Sequence, residues 1–270
     1  MTKIIVALCL SSAAAFVTPA APSAATAVNG AKEELIDLAE ANGDFLGQTI
    51  GFWDPLGVTT TSFWNLGEEG TIGYLRHAEI KHGRVAMAGF LGFCAQSTSF
   101  VKGEHNFPVR LAGVNGLTPT PPYRGYVADV TPQEQWDNIP LIAKLQIFTL
   151  IGMLESYGEG AGSPEGYVHY TKGGLPGYFP PIKGQGRGQI TLNLWDPFGL
   201  PGGPSGMSEE QKTRGRQVEI NNGRLAQLGL LSLLSESSTP GAVPALALIP
   251  GFPHYAGDVM VPFSADFSLF

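Results

Sequence analysis

The sequence predicts an all-α integral membrane protein with three transmembrane helices, the first and third a duplicated pair, together with short amphipathic helices and long Gly/Pro-rich loops. Three observations carry this reading. The stretch Glu79-Ile-Lys-His82-Gly-Arg84-Val-Ala86-Met-Ala-Gly89-Phe-Leu91 returns as Glu219-Ile-Asn-Asn222-Gly-Arg224-Leu-Ala226-Gln-Leu-Gly229-Leu-Leu231, with Glu, Ile, Gly, Arg, Ala, Gly and Leu at the same spacing. Upstream of each copy stands a second echo, Phe52-Trp53-Asp54-Pro55-Leu56-Gly57 and Leu194-Trp195-Asp196-Pro197-Phe198-Gly199, displaced by nearly the same length of chain. Such self-similarity marks an internal duplication, and two copies can pack about a pseudo-twofold axis as membrane repeats do. Finally, only 14% of the residues are charged, against about 25% in an average soluble domain, while Gly (36) and Pro (21) are abundant.

The elements follow in order. Residues 1–28 read as a leader: Lys3, an apolar Ile4–Leu10 core and small residues to Ala15, then an acid-poor segment from Phe16 that holds no carboxylate before Glu33. Residues 29–70 comprise an amphipathic helix at Lys32–Ala41, with Asn29 as its cap and Leu35, Ile36 and Leu38 on one side, and a loop from Gly43. Residues 71–270 form the three-helix domain. The first long helix runs Thr71–Gln96. Its apolar part, Val85–Ala95, is too short alone, since a span needs about 20 residues, so Tyr74–Arg84 must be included with its charges paired. Thr131-Pro132-Gln133-Glu134 is a capping box with Pro in the first turn. Pro140 kinks or restarts that helix, and Ile139–Leu154 is apolar apart from Lys144 and Gln146, with Glu155 next. Gly158–Gly206 is a long connection in which only Gln189–Leu194 has any strand alternation. Ser208-Glu-Glu-Gln211 opens the third helix, which runs to about Ser237. Pro240–Pro250 is a short apolar segment suited to an interface.

Glu79 and His82 are three residues apart and share a helix face. Arg84 lies roughly 140° around from Glu79, which disfavours a pair within the helix. An ionised side chain in a bilayer costs about 2.5–3.5 kcal/mol on insertion scales, so these groups need partners. The duplication supplies them: Glu79 with Arg224 and Glu219 with Arg84. Carboxylate oxygens, the His82 nitrogen and the Asn222 amide oxygen then remain to bind an electrophile. Gly83, Ala86, Gly223 and Ala226 allow close helix approach.

Other classes fit less well. The net charge of −7 opposes nucleic acid binding. With Cys9 in the leader and only Cys94 beyond it, there is no disulfide framework. Glu79-x-x-His82 is also half of a di-iron carboxylate motif, but the second copy ends in Asn222 and an arginine accompanies each acid, which disfavours an enzyme of that kind. No phosphate loop, nucleophile elbow or zinc spacing occurs. His77, His105, His169 and His254 read as surface or loop residues.

The paired Glu79-x-x-His82-x-Arg84 and Glu219-x-x-Asn222-x-Arg224 motifs, the two Trp-Asp-Pro-x-Gly boxes and the tail Tyr255-Ala-Gly-Asp-Val-Met-Val-Pro-Phe263 resemble the chlorophyll a/c-binding light-harvesting family of red-lineage plastids, from about Gly51 to Phe263. The resemblance implies that the first and third helices cross in the membrane with the middle helix to one side. It implies chlorophyll magnesium ligands at Glu79, His82, Gln146, Glu155, Glu219, Asn222 and Glu236, the last standing where relatives often carry Gln. Arg84 and Arg224 would be the charge partners, and Trp53, Asp54, Pro55, Trp195, Asp196 and Pro197 would shape carotenoid sites. A chlorophyll magnesium is a hard cation with one open axial position, which a neutral imidazole, an amide oxygen or an arginine-neutralised carboxylate can fill. The implied cofactors are chlorophyll a, chlorophyll c and a fucoxanthin- or peridinin-type carotenoid, with a xanthophyll-cycle carotenoid as a further one. The implied partners are a photosystem core, photosystem I first, other antenna subunits and thylakoid lipids. The implied location is the plastid thylakoid membrane, reached through a bipartite leader. A photoprotective, energy-dissipating relative shares these ligands and is the alternative. An unpigmented stress protein with crossed helices lacks the middle-helix ligands.

Overall fold

A computed structural model of the chain describes residues 31–41, 51–98, 126–161, 166–183, 197–198, 206–258 and 261–263. The helices are α1 (Ala31–Ala41), α2 (Gly67–Gln96), α3 (Pro132–Asp137), α4 (Leu141–Gly158), α5 (Glu209–Ser238) and α6 (Pro244–Ala247), joined by single 3₁₀ turns at Val58–Thr60, Phe63–Asn65 and Tyr170–Lys172. The leader, Asn29, His105 and the strand expectation at Gln189–Leu194 lie outside the described residues.

Helix ends follow from local chemistry. Thr131 accepts the Glu134 amide through its hydroxyl while the Glu134 carboxylate takes the Thr131 amide, which starts α3 at Pro132. Asn138 ends it, and Pro140 begins the first turn of α4 by accepting the amides of Ala143 and Lys144. Ser208 and Gln211 bond reciprocally at the start of α5. α2 begins four residues before the expected Thr71. Gly67 adopts φ +76°, Glu68 and Glu69 sit in the first turn where the helix dipole favours acids, and the fully buried Thr71 donates back to the Gly67 carbonyl at 2.6 Å.

Among the described residues no helix is long and apolar enough to cross a membrane on its composition. α2 and α5 carry the acids and arginines of the repeat, and α4 carries Lys144 and Glu155. The expectation of three spans therefore rests on charge pairing.

The chain divides into two compact units. One comprises the described parts of Ala86–Gly152 and Ala226–Phe270. Its core is apolar: Ala86, Met87 and Ala226 with Leu230, and Phe93, Cys94 and Leu233 with Phe90, Leu91, Leu234, Leu246 and Phe252. Several of its polar groups are satisfied individually, while the buried Gln133 Oε1 has no hydrogen-bond partner among the described residues. Buried Lys144 lies 5.6 Å from the Trp136 ring centroid and donates to the Asp137 carbonyl. The Tyr255 amide donates to the Ser237 carbonyl at 2.9 Å, and its hydroxyl donates to Asp137 Oδ2 at 2.7 Å. Burial and this carboxylate raise the Tyr255 phenol to about 12, which keeps it a donor.

The other unit comprises the described parts of Ala13–Val85 and Met153–Leu225. It is held by charge and by glycine. A Cβ on Gly83 would stand 3.0 Å from Gly223 Cα, and one on Gly223 would stand 2.9 Å from Gly83 Cα. The backbones of α2 and α5 are thus in contact, which only glycine permits. Gly177, at φ +77°, lets the Tyr170–Pro180 segment fold onto α2, where its amide donates to His77 Nδ1 at 3.0 Å.

Candidate functional site

In both copies the acid sits four residues before the contact glycine and the arginine one after it. At the glycine contact each arginine therefore reaches the other helix. Arg84 Nε donates to Glu219 Oε1 and Arg224 Nε donates to Glu79 Oε1, both at 2.6 Å. The pairs use equivalent atoms, and among the described residues no hydrogen bond reaches Oε2 of either acid. Each is thus a charge-neutralised carboxylate with one unengaged oxygen, which suits a hard cation whose ring already carries negative charge.

Burial separates the pairs. Glu219 is 5% exposed, and Arg84 also donates to the Gly177 carbonyl at 2.7 Å through Nη1. Arg224 is exposed and Glu79 half-buried. Among the described residues, the Tyr170–Pro180 segment bonds Arg84 and not Arg224.

His82 is exposed, with Nδ1 2.7 Å from the Ala78 carbonyl. A carbonyl only accepts, so Nδ1 is the donor here, and in the neutral ring Nε2 is the nitrogen that offers a lone pair. This is how a metal-binding imidazole is oriented. Asn222 occupies the same register on α5, three residues after Glu219, with no hydrogen bond among the described residues. This donor set fits chlorophyll magnesium: two half-engaged carboxylates, one outward imidazole nitrogen and one free amide.

The remaining sequence-derived positions fare differently. Gln146 is exposed on α4. Glu155 follows it by nine residues, two and a half helical turns, so the two side chains leave α4 on opposite faces. The Glu155 carboxylate is engaged by Lys81 of α2. Glu236 departs from the ligand expectation. It is 1% exposed, and its oxygens accept the amides of Gly241 and Val243 at 2.9 and 2.8 Å. It is a clamp that closes the chain after α5. At 1% exposure and with both oxygens bonded, it presents no free oxygen to a magnesium.

The first Trp-Asp-Pro-x-Gly box is a turn. Asp54 accepts the Val58 amide, the Thr59 amide and the Thr59 hydroxyl at 2.9, 3.0 and 2.6 Å, and Gly57 supplies φ +62°. The turn presents Trp53, 73% exposed, beside Pro55 and Leu56. Of the second box, Trp195 and Asp196 lie outside the described residues, and Pro197 is exposed in a turn. The Thr59 hydroxyl, then its amide, holds the Asp54 carboxyl below its ordinary value. Its folded pKa is depressed, so its stabilisation is present above the unfolded carboxylate pKa and disappears as pH falls through the folded one. An acid titration of Trp fluorescence, corrected by Trp53→Phe, is expected to show a Trp53 step that Asp54→Ala abolishes. A step of unchanged size and midpoint in Asp54→Ala would remove this role.

His77 corrects the expectation of a surface residue. It is 5% exposed, stacked on Tyr170 with ring centroids 3.8 Å apart. The residues around it were missed in the sequence. Glu159 Oε2 accepts from Tyr170 Oη and meets His169 Nε2, both at 2.9 Å, and Oε1 meets Lys81 Nζ at 3.2 Å and lies 3.7 Å from His77 Nε2. Burial pulls the Glu159 carboxyl upward, but the bonds from His169, Tyr170 and Lys81 outweigh it and leave it below its ordinary value. Burial, then Glu159, drives the Tyr170 phenol up, so it remains the donor. The available signal was the Glu155-x-x-x-Glu159 spacing, which puts both acids on one face.

A family model described as Chlorophyll A-B binding protein matches residues 38–238. Among curated relatives, the fucoxanthin-chlorophyll a-c binding protein E, chloroplastic, of Macrocystis pyrifera is 31% identical over 185 residues, covering 68% of each chain. The fucoxanthin-chlorophyll a-c binding protein, chloroplastic, of Trieres chinensis is 30% identical over 245 residues, covering 90% of this chain and 98% of the relative. A fucoxanthin-chlorophyll a-c binding protein B of Phaeodactylum tricornutum is 30% identical over 188 residues. These proteins are named for pigment binding, and the family is one of light-harvesting proteins, not enzymes.

Proposed function

Since this chain belongs to the chlorophyll A-B binding protein family, we propose that it is a light-harvesting antenna of the plastid thylakoid membrane, binding chlorophyll a, chlorophyll c and fucoxanthin and passing excitation to a photosystem, photosystem I first. α2, α4 and α5 are its three membrane crossings, residues 1–28 its bipartite leader, and other antenna subunits and thylakoid lipids its neighbours. Glu79, His82, Glu219 and Asn222 hold chlorophyll magnesium on α2 and α5, Gln146 and Glu155 do so on α4, and the Trp53 box flanks a carotenoid. Peridinin and a xanthophyll-cycle carotenoid are the other occupants to look for at the carotenoid sites.

The observation that carries this reading is the pair of arginine-neutralised carboxylates, each with an Oε2 that no described residue bonds. Neutralised acids in an apolar protein need no catalytic role, and the carboxylate oxygens and the imidazole would each supply the single axial ligand of a cation that brings its own equatorial nitrogens. The names of the fucoxanthin-chlorophyll a-c relatives support the choice of pigments.

The test is absorption and fluorescence excitation spectroscopy of the protein purified in mild detergent, with extracted pigments identified. Chlorophyll c and carotenoid excitation emerging as chlorophyll a fluorescence is the expected result. Bound pigments with strongly quenched emission would replace delivery by energy dissipation. A colourless preparation overturns the reading altogether.

A further inference from the structure

We propose that Lys81 is the counter-ion of a third ion-paired chlorophyll ligand, Glu155, and that Glu159 is the anchor that holds this lysine in place. The inference rests on the antenna reading above and deepens it by assigning a positioning residue to the α4 site. In the repeat, each ligand carboxylate shares one oxygen with a cation from another helix and keeps one unengaged. The same arrangement recurs at α4. Lys81 Nζ engages Glu155 Oε2, and no hydrogen bond among the described residues reaches Oε1. Here the cation has no counterpart in the duplication, because Asn221 stands at the equivalent position of α5.

Glu159, one turn further along, is the opposite kind of carboxylate. Both its oxygens are engaged, one by Tyr170 and His169 and the other by Lys81 with His77 Nε2 beyond. It has no oxygen left for a magnesium. Residues four apart share a helix face, so one lysine reaches both acids. An ammonium has three donors and can serve both acids at once. Lys81 also lies one residue before His82, so one turn of α2 supplies a ligand and the counter-ion of another.

The experiment is reconstitution of the full chain with extracted chlorophyll a, chlorophyll c and fucoxanthin, with chlorophylls counted per polypeptide. Wild type, Lys81→Met, Lys81→Arg, Glu155→Ala and the double variant Lys81→Met/Glu155→Gln are compared, with helix content followed by circular dichroism. Lys81→Met and Glu155→Ala are each expected to lose the same one chlorophyll, and Lys81→Arg to keep it. The double variant should regain it, because a neutral amide oxygen needs no counter-ion. Full occupancy in Lys81→Met or in Glu155→Ala overturns the proposal while leaving the antenna reading intact. Failure of the double variant to regain the pigment, or misfolding of Lys81→Met that the double variant does not cure, reduces Lys81 to a structural bridge and also overturns it. A wild-type chain that takes up no chlorophyll defeats the antenna reading itself.

Discussion

Arg84→Leu is expected to destabilise the pigmented protein far more than Arg224→Leu, although the duplication makes the two arginines equivalent in sequence. The difference is burial. Glu219 is 5% exposed, so removing Arg84 leaves an uncompensated carboxylate away from solvent. Breaking a buried pair from one side costs about 3–5 kcal/mol. It also strands the Gly177 carbonyl that Arg84 serves at 2.7 Å. The Arg224–Glu79 pair is more open, with side-chain exposures of 50% and 37%, and exposed pairs are worth about 0–1 kcal/mol. The double variant Arg84→Leu/Glu219→Leu separates stability from ligation. Replacing both charges by apolar side chains is often neutral or stabilising, so helix content should return while one chlorophyll stays lost. Thermal unfolding by circular dichroism, alongside chlorophyll counts, reads both quantities. Equal destabilisation by the two single arginine variants would show that burial does not control the asymmetry.

What the sequence made legible followed from helix geometry. The rotation between Glu79 and Arg84 disfavours an intrahelical pair, and the repeat then leaves one natural solution, which the 2.6 Å contacts display. The capping boxes at Thr131 and Ser208 were readable because their partners lie three residues away. What stayed hidden depends on chain closure. His77 looks like any polar helical residue until the segment carrying Tyr170 and Gly177 folds over it. Glu236 reads as a late-helix polar residue, because the amides of Gly241 and Val243 come to it only after the turn that follows α5. The Lys81 bridge joins helices that no repeat relates, so nothing in the spacing of either announces it. The start of α2 was misplaced because Gly67 and Gly70 look like loop residues. Gly70 is buried where a Cβ would stand 3.1 Å from the Thr171 carbonyl oxygen, so its small size serves packing inside the helix.

Gly223→Leu should remove several chlorophylls at once, where a ligand variant removes one. A Cβ at residue 223 would lie 2.9 Å from Gly83 Cα. That neighbour is backbone and cannot swing aside, so the helices must part by roughly 1 Å even for alanine, and overpacking of this kind costs about 1–3 kcal/mol. Leucine demands more. Both ion pairs straddle this contact at 2.6 Å, so parting the helices lengthens both together, and the sites at Glu79, His82, Glu219 and Asn222 lose their geometry in one step. The internal control is Gly92→Ala on α2, where an added Cβ meets nothing within 4 Å. There the same methyl removes backbone freedom from the unfolded chain and favours the helix by about 0.5–1 kcal/mol. The prediction is a difference in sign: Gly223→Ala lowers the temperature at which chlorophyll circular dichroism is lost, and Gly92→Ala raises it or leaves it unchanged. A full chlorophyll complement in Gly223→Leu would mean that the helices do not meet at these glycines, and the paired-carboxylate site would lose the contact that aligns it.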